Sequence, residues 1–226
     1  MSEYTGTDNL EVMADAINYN HFLSSLVLKH AQKSESIVDF GSGIGTFARE
    51  LGKRGLRVHC IEPDAKQAAM IAAAGMPVST SLDELPDGSI DYLYTLNVLE
   101  HIEDDVAALR QLHNKLKPGG KILIYVPAFQ VLFSSMDRKV GHFRRYTKQD
   151  LTAKLRDTQF SIVSAKYVDS IGFFASLYFR FAGNDSGTLN HKALVFYDRV
   201  IFPISRICDV LLSPFFGKNV VVFAQK

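Results

Sequence analysis

Three glycines between a β-rich run and a helix-length pattern, in IVDFGSGIGTFARELG, constrain this fold more than any other feature. Gly41, Gly43 and Gly45 permit a tight turn and let a ligand approach the backbone, and the amides of the next helix then face that ligand. Glu62 ends the next β-rich run, where a carboxylate can accept both hydroxyls of a ribose. Together these features predict a βαβ unit that binds a nucleoside; a plain glycine turn and a solvated strand-end charge are the alternatives.

The glycine spacing narrows the class of nucleoside. It is G-x-G-x-G rather than the G-x-G-x-x-G of dinucleotide binders, and Asp39 stands two residues before the first glycine. A carboxylate beside the turn attracts a cationic ligand in a partly dry cleft and suits a pyrophosphate less well. S-adenosylmethionine (SAM) carries an ammonium and a sulfonium and no phosphate, so these residues favour it. Asp39 could also accept hydrogen bonds from the turn, and the two roles can coexist.

Short β-rich runs alternate with helix-length patterns along the chain, which is typical of a parallel sheet with crossover helices. We predict one domain over 1–226, with a helical cap at 1–34 and a helical insertion at 170–218. The predicted strands are 36–40, 56–61, 77–80, 90–95, 121–126, 160–168 and 219–225. The predicted helices are 8–32, 46–54, 64–74, 103–116 and 147–156, with Asp64 and Thr147 as N-caps.

Four motifs in a fixed order carry a family resemblance. DFGSGIGTFA, CIEPD, DGSIDYLYTLNVLEHIEDD and LKPGGKILIYVP resemble the first-, second-, fourth- and fifth-strand motifs of class I SAM-dependent methyltransferases, in their type 11/12-like subset. The motifs cover residues 36–127. The resemblance implies a Rossmann-like α/β fold in which seven mostly parallel strands have helices on both faces. The last strand would lie antiparallel beside the fifth, a place that 219–225 fits.

The resemblance also assigns donor-binding residues to the strand ends. The glycine turn would surround the methionine end and the ribose, and Glu62 would bind the ribose hydroxyls. Residues after the third strand would flank the adenine, and those after the fourth would face the sulfonium; Asp83 is a further adenine candidate in uncertain register. The implied set is Asp39, Gly41, Ser42, Gly43, Gly45, Glu62, Pro63, Asp64, Ser81, Leu82, Asn97 and Leu99.

The acceptor would lie outside the carboxyl ends of the strands, where open α/β sheets bind ligands. Two histidines follow the fourth and fifth strands, His101 and His142. Methyl transfer depends mainly on alignment of the reacting groups, but a hydroxyl or amine acceptor can also need a base. Both histidines are therefore candidate catalytic residues. Helix-entry packing for His101 and a loop-stabilising role for His142 are the alternatives.

GHFRRYTKQDL, which includes His142, resembles a stretch found in methyltransferases associated with glycans, lipids and secondary products. Arg144 and Arg145 could clamp a phosphate or carboxylate of the acceptor, with Tyr146 beside them. Alternatively, an arginine pairs with Asp137 or Asp150 and folds the loop, and Tyr146 packs in the interior.

The insertion at 170–218 is the largest departure from a minimal methyltransferase. Between 194 and 212 its polar residues recur about seven apart, which places them on one helical face and leaves a wide apolar remainder. Pro203 should bend or break this helix. A lid packed on the domain, an apolar acceptor pocket, a homodimer surface and peripheral membrane contact all fit this pattern.

Composition excludes other classes. A formal net charge of +1 argues against a nucleic-acid partner, and TLNVLEH stands where a base-flipping methyltransferase would carry an Asn/Asp-Pro-Pro-Tyr-like motif. Two distant cysteines make neither a disulfide framework nor a metal site, so no metal is expected. The N-terminus is polar and has no signal-peptide apolar region, so a cytoplasmic location is expected.

The sequence therefore predicts a SAM-dependent methyltransferase that acts on a small-molecule, glycan or lipid-linked acceptor, with oxygen as the expected acceptor atom. Two other functions stay open. A catalytically inert SAM-binding regulatory protein would keep the same glycine turn and Glu62. A nicotinamide-dependent oxidoreductase shares the β-α-acid layout, but the glycine spacing argues against it.

Overall fold

A computed structural model describes Met13 and residues 15–31, 34–182 and 191–226. Seven strands form one sheet in the order β3-β2-β1-β4-β5-β7-β6. β1 to β5 pair in parallel, and β7 lies antiparallel between β5 and β6. The strands are β1 (Ile37–Phe40), β2 (Val58–Ile61), β3 (Val78–Ser79), β4 (Ile90–Leu96), β5 (Leu116–Pro127), β6 (Ser161–Val168) and β7 (Asn219–Gln225). The predicted fold class and the antiparallel last strand are confirmed.

Helices cover both faces of the sheet. They are α1 (Ile17–Ala31), α2 (Thr46–Gly52), α3 (Ala65–Ala73), α4 (Asp105–Lys115), α5 (Ser135–Lys139), α6 (Lys148–Asp157), α7 (Ser170–Ala182), α8 (His191–Phe196) and α9 (Phe202–Leu212).

Alternating side chains of the strands divide the core into two layers. Leu93 of β4 faces the layer that contains α4 and α6, whereas Tyr92 and Tyr94 face the layer that contains α1, α2 and α9. Both layers contain many side chains with almost no exposed surface, so the sheet is buried on both faces. The ligand cleft of such a sheet lies at the carboxyl ends of its parallel strands.

Most predicted elements are found, with ends that differ by a few residues. Asp64 and Thr147 cap α3 and α6 through their side-chain oxygens, as expected. β5 begins at Leu116, earlier than predicted, because Leu116 already pairs with Ile90. Residues 117–120 bulge between that pair and the next. Residues 8–12, 14 and 32 of the predicted first helix lie outside the described residues.

The insertion folds into α7, α8 and α9, with residues 183–190 outside the described part. A π-helical turn, Tyr197–Ile201, joins α8 to α9, and Pro203 stands in the first turn of α9. The predicted break at this proline is not found: Phe196, Ile201 and Phe202 keep right-handed helical angles, and the helix continues through the π turn. Proline supplies no N–H, and the wider hydrogen-bond pattern of a π turn accommodates its loss.

Buried carboxylates tie the insertion to the rest of the fold. Asp209 accepts hydrogen bonds from the backbone N–H groups of Asp169 and Ser170 at 2.9 Å each, at the start of α7. Asp198 accepts from the N–H groups of Asn18 and Tyr19, at 3.0 and 2.8 Å, in the first turn of α1. Helix N-termini favour such negative partners because their first N–H groups lack intrahelical acceptors. Both carboxylates thus cap helices that are distant in sequence.

Within the described ranges, no helix combines the length and the hydrophobicity required to cross a bilayer.

Candidate functional site

The glycine turn after β1 needs glycine for backbone reasons. Gly41, Gly43 and Gly45 have φ values of 79°, 56° and 77°, which side chains other than glycine rarely adopt. A Cβ on Gly41 would also lie 2.4 Å from a methyl group of Val98, and one on Gly45 would lie 2.8 Å from Met76 Cε. Gly41 and Gly45 are therefore required because a side chain there would collide with the protein itself. This requirement adds to the expected approach of a ligand.

Glu62 connects this turn to the end of β2. Its Oε2 accepts a 2.7 Å hydrogen bond from the N–H of Gly43, and its Oε1 accepts one of 3.0 Å from the N–H of Asp64. Only 6% of the residue is exposed, and burial raises the pKa of its carboxyl. A carboxylate has about four lone-pair sites, two on each oxygen. Each oxygen of Glu62 thus keeps one acceptor site for a hydroxyl, which matches the two hydroxyls of a ribose.

Asp39 lies under the same turn, at 3% exposure. Burial raises the pKa of its carboxyl to about 7, against the lowering effect of Tyr94 and Ser42. Its Oδ2 makes no hydrogen bond of ordinary geometry to any residue that the structure describes. Buried polar atoms normally have partners. A cationic group at this position would supply the one that Oδ2 lacks.

The other predicted donor-binding residues divide into two groups. Ser42 and Asp64 belong to the turn: the Ser42 hydroxyl donates to the Asp39 carbonyl at 2.9 Å, and Asp64 caps α3. Asn97, with φ 56°, follows β4. Elsewhere, Ser81 caps a short turn that contains the buried Leu82, Leu99 is fully buried in the core, and Pro63 is exposed. Asp83 accepts from the amide of Gln111 at 2.6 Å, and adenine contact stays a prediction.

The two candidate catalytic histidines meet beyond β4. The ring centroids of His101 and His142 lie 4.5 Å apart, edge to face. His142 Nδ1 is 2.8 Å from Oδ1 of Asp137. Hydrogen bonds from His142, Arg145 and Ser134 lower the pKa of the buried Asp137 carboxyl despite the opposing effect of desolvation. Since an ionised carboxylate only accepts, Nδ1 of His142 is the donor, and in the neutral imidazole the lone pair lies on Nε2.

The predicted acceptor-binding side chains contact the protein itself. Arg145 donates to both oxygens of Asp137, from Nε at 2.8 Å and from NH2 at 2.9 Å. Tyr146 is fully buried, and its hydroxyl donates to Asp105 at 2.7 Å. Arg144 lies 3.0 Å from the same Asp105. These contacts agree with the loop-folding alternative; a role of Arg144, Arg145 and Tyr146 in substrate binding stays a prediction.

Sequence reasoning missed two acidic residues and one tyrosine. Glu100 has no exposed surface, although it stands beside His101, and Asp105 joins the loop after β5 to the start of α4. The apolar neighbours of Glu100 in NVLEHI were the available signal, since a charge in such a run is usually buried and paired. Tyr19 packs edge to face on Tyr125, with ring centroids 6.2 Å apart, a contact between residues that no local pattern connects.

Comparison with known proteins decides the family. The family model described as "Methyltransferase domain" matches residues 12–165, which include the glycine turn, Glu62 and the loop after β5. This chain is a class I methyltransferase.

Its relatives vary in chemistry. An uncharacterized methyltransferase from Mycobacterium sp. (strain JLS) is 26% identical over 153 residues, which cover 62% of this chain and 61% of that protein. The match thus spans about three fifths of the relative's length. A SAM-dependent methyltransferase from Archaeoglobus fulgidus has a TM-score of 0.62 at 16% identity, over 92% of this chain and 94% of that one. Geranyl diphosphate C-methyltransferase from Streptomyces coelicolor has a TM-score of 0.63 at 14% identity, over 91% and 77%.

SAM is the cofactor of this methyltransferase. The residues present fit it: Glu62 has spare acceptor sites, and Asp39 carries a buried carboxylate oxygen without an ordinary partner. We therefore assign the ribose to Glu62 and the cationic methionine end to the side of Asp39, as a proposal for this chain. When bound, SAM supplies a methyl group activated by the sulfonium.

Removal of the Glu62 carboxylate should abolish donor binding. Glu62→Ala loses two charge-assisted hydrogen bonds, so we expect the dissociation constant for S-adenosylhomocysteine to rise at least about a hundredfold. Gly43→Val should do the same, because a β-branched residue does not tolerate φ 56°. Isothermal titration calorimetry measures the effect. Glu50→Ala, beside the surface cations Lys53 and Arg54, is the matched control. Wild-type affinity in both site variants, with circular dichroism unchanged, would remove the assignment.

Donor affinity should depend on pH through Asp39. Because the pKa of Asp39 is about 7, its protonated fraction grows as the pH falls below 7. Only the carboxylate attracts the ammonium, so the affinity for S-adenosylhomocysteine should fall by up to about tenfold between pH 8 and pH 6. Asp39→Asn should bind weakly at both values and lose most of this dependence. An equal slope in wild type and variant would contradict the role of Asp39.

Proposed function

We propose that this methyltransferase transfers the methyl group of SAM to a hydroxyl of a lipid-linked acceptor at an anionic membrane surface. The observation that carries the proposal is the orientation of the insertion, which turns its apolar face outward. The formal net charge of +1 gives no support to a nucleic-acid acceptor.

In a lid packed on the domain, the apolar side chains of the helices would be buried and the polar ones exposed. The helices of the insertion show the opposite arrangement. Their polar residues Asp198, Ser205 and Asp209 are buried, whereas Ile207 and Val210 are 74% and 79% exposed. An exposed apolar surface of this extent marks a contact with another molecule or a membrane. The exposed large apolar side chains of the insertion are Phe174, Tyr178, Phe179, Phe196, Val200, Ile204, Ile207, Val210, Leu211 and Phe215. We call them the apolar face.

Within the described part of the insertion, the charged side chains that stay exposed are basic; outside it, the exposed Asp15 pairs with His191 at 2.7 Å. In the described part of the insertion, both carboxylates are buried as helix caps, while Arg180, Lys192 and Arg199 are exposed. Lys192 and Arg199 line a surface groove together with Phe196, so cations and apolar groups lie side by side. An anionic bilayer attracts each basic residue near its surface by about 1 kcal/mol and accepts the apolar side chains below its headgroups.

A membrane fits this surface better than a second copy of the chain. In a twofold dimer the same patch would meet itself. That contact would bring the cations together without an exposed carboxylate from the described part of the insertion to pair with them. Anionic lipid headgroups supply the missing negative charge.

Helix α7, which carries part of the apolar face, contacts the loop after β5. Phe173 of α7 packs edge to face on Phe129, the second residue after β5, with ring centroids 5.4 Å apart. Arg180 of α7 contacts the carbonyl of Val131. The loop that begins there also contains His142. A chain bound through the apolar face would therefore present this loop near lipid, where a lipid-linked acceptor can reach it.

His142 is the residue we propose to activate the acceptor hydroxyl. Asp137 holds its Nδ1, which leaves the lone pair of Nε2 for this task. Burial lowers the pKa of the neighbouring His101 to about 4, with a further lowering effect of His142, so His101 is neutral at physiological pH. A neutral His101 places no positive charge beside His142, and such a charge would disfavour proton uptake by Nε2.

Loss of the His142 imidazole should slow methyl transfer and spare donor binding. We expect His142→Ala to reduce turnover by about a hundredfold or more, the usual contribution of a positioned acid or base. Transfer of radiolabelled methyl groups from SAM into a lipid extract measures it, beside calorimetry with S-adenosylhomocysteine. His113→Ala, on the far end of α4, is the control. An unchanged rate would rule out the proposed role.

Charged residues in the apolar face should prevent membrane binding. We expect the wild type to pellet with vesicles of equal parts phosphatidylglycerol and phosphatidylcholine, and less with phosphatidylcholine alone. Ile207→Glu combined with Val210→Glu should weaken this binding at least about tenfold, because two apolar groups leave the lipid and two negative charges meet it.

Met70→Glu combined with Val163→Glu is the matched control, since it charges two exposed apolar residues on α3 and β6. It should bind vesicles as the wild type does. Failure of the wild-type chain to bind anionic vesicles would contradict the proposal. A third outcome would assign the apolar face to a second copy of the chain. In that case light scattering would show a wild-type dimer and a monomeric Ile207→Glu/Val210→Glu variant, and neither protein would bind vesicles.

A further inference from the structure

Three metal-ligating side chains converge beyond the end of β4. Glu100 and His101 lie on the turn Leu99–His101, and His142 lies in the loop after α5. One ligand atom from each lies within 4.8 Å of the others. Nε2 of His142 is 3.9 Å from Oε1 of Glu100. Two imidazoles and one carboxylate form a donor set that divalent transition metals accept.

Glu100 is the least satisfied of the three. It is 0% exposed, and neither carboxylate oxygen has a hydrogen-bond partner among the described residues. The nearby guanidinium of Arg145 is committed to Asp137 through two short hydrogen bonds. Buried charges are normally paired or bound to a metal ion. Among the described residues, the nearest basic group not engaged elsewhere is therefore the imidazole of His142, whose Nε2 lies 3.9 Å from Oε1 of Glu100.

The two histidines are held in the manner of metal ligands. Asp137 accepts from Nδ1 of His142, and it is itself fixed by Arg145 and by the Ser134 N–H at 2.8 Å. A carboxylate behind the distal nitrogen is the usual support of a metal-bound histidine, because it fixes the tautomer and the ring. The ring of His101 packs edge to face on that of His142, with centroids 4.5 Å apart, which brings the two imidazoles together.

We propose that Glu100, His101 and His142 bind one divalent transition metal ion. The ion supplies the positive charge that the buried carboxylate lacks, and both imidazoles contribute neutral nitrogen ligands. This proposal departs from the sequence-based expectation of no metal, which rested on the two distant cysteines.

The proposal that the ion binds does not depend on the proposed function, whereas the catalytic role of the ion rests on that function. At the acceptor side of the cleft, a bound ion would lower the pKa of an acceptor hydroxyl, which would release its proton to solvent. Because the ion would occupy the lone pair of Nε2, His142 would then serve as a metal ligand and not as the base.

Metal binding is measured on the full chain after treatment with EDTA and gel filtration. Titration with Co²⁺ should give a visible absorption band that saturates at one equivalent, and Zn²⁺ should displace it. Glu100→Gln and His142→Gln should each weaken Co²⁺ binding at least about tenfold. His113→Gln, a histidine outside the cluster, should bind Co²⁺ as the wild type does.

Thermal unfolding gives a second readout that separates lost binding from lost folding. Zn²⁺ should raise the Tm of the wild type and raise the Tm of Glu100→Gln clearly less at the same concentration. Metal-free Glu100→Gln should be about as stable as metal-free wild type, because glutamine has nearly the size of glutamate and carries no charge. Equal Co²⁺ affinity in wild type and Glu100→Gln, or no saturable binding, would overturn the site. Binding of Co²⁺ without binding of S-adenosylhomocysteine would instead refute the proposed function and leave the metal site standing.

Discussion

The 2.7 Å hydrogen bond from the Gly43 N–H to Glu62 holds the donor side of this molecule together. It joins the turn after β1 to the end of β2, the two strands that every Rossmann-like nucleoside site combines. The second oxygen of Glu62 fixes the Asp64 N–H at the start of α3. The carboxylate thereby organises three segments and still keeps acceptor capacity for a ligand. Replacement of this one side chain changes both the shape of the turn and its chemistry.

Buried carboxylates also determine how the insertion is oriented on the domain. Its acidic residues do not face solvent, because Asp198 and Asp209 are used to cap α1 and α7 across long sequence separations. The caps rotate the polar face of α9 inward, and the apolar residues are left outside as a consequence. The same contacts that fasten the insertion to the domain thus create the surface that we propose for membrane binding, beside the loop that contains His142.

The sequence predicts the sheet well and the side-chain network poorly. Each strand and the glycine turn follow from local patterns, because short apolar runs and positive-φ glycines carry their own signal. The period of the insertion helix identifies a polar face, but it does not say whether that face is buried or exposed. Polar faces are usually exposed, whereas Asp198 is buried because it caps α1 through Asn18, 180 residues away in sequence. The sequence singles out Arg145, Asp137 and His142, whereas the burial of Glu100 without a hydrogen-bond partner depends on tertiary packing that no local pattern encodes.

The most direct measurement is a crystal structure of the chain with S-adenosylhomocysteine bound. The account predicts both ribose hydroxyls about 3 Å from the Glu62 oxygens and the ammonium group on the side of Asp39. Electron density for the ligand at another place, with residues 41–45 and Glu62 turned away from it, would contradict the central claim.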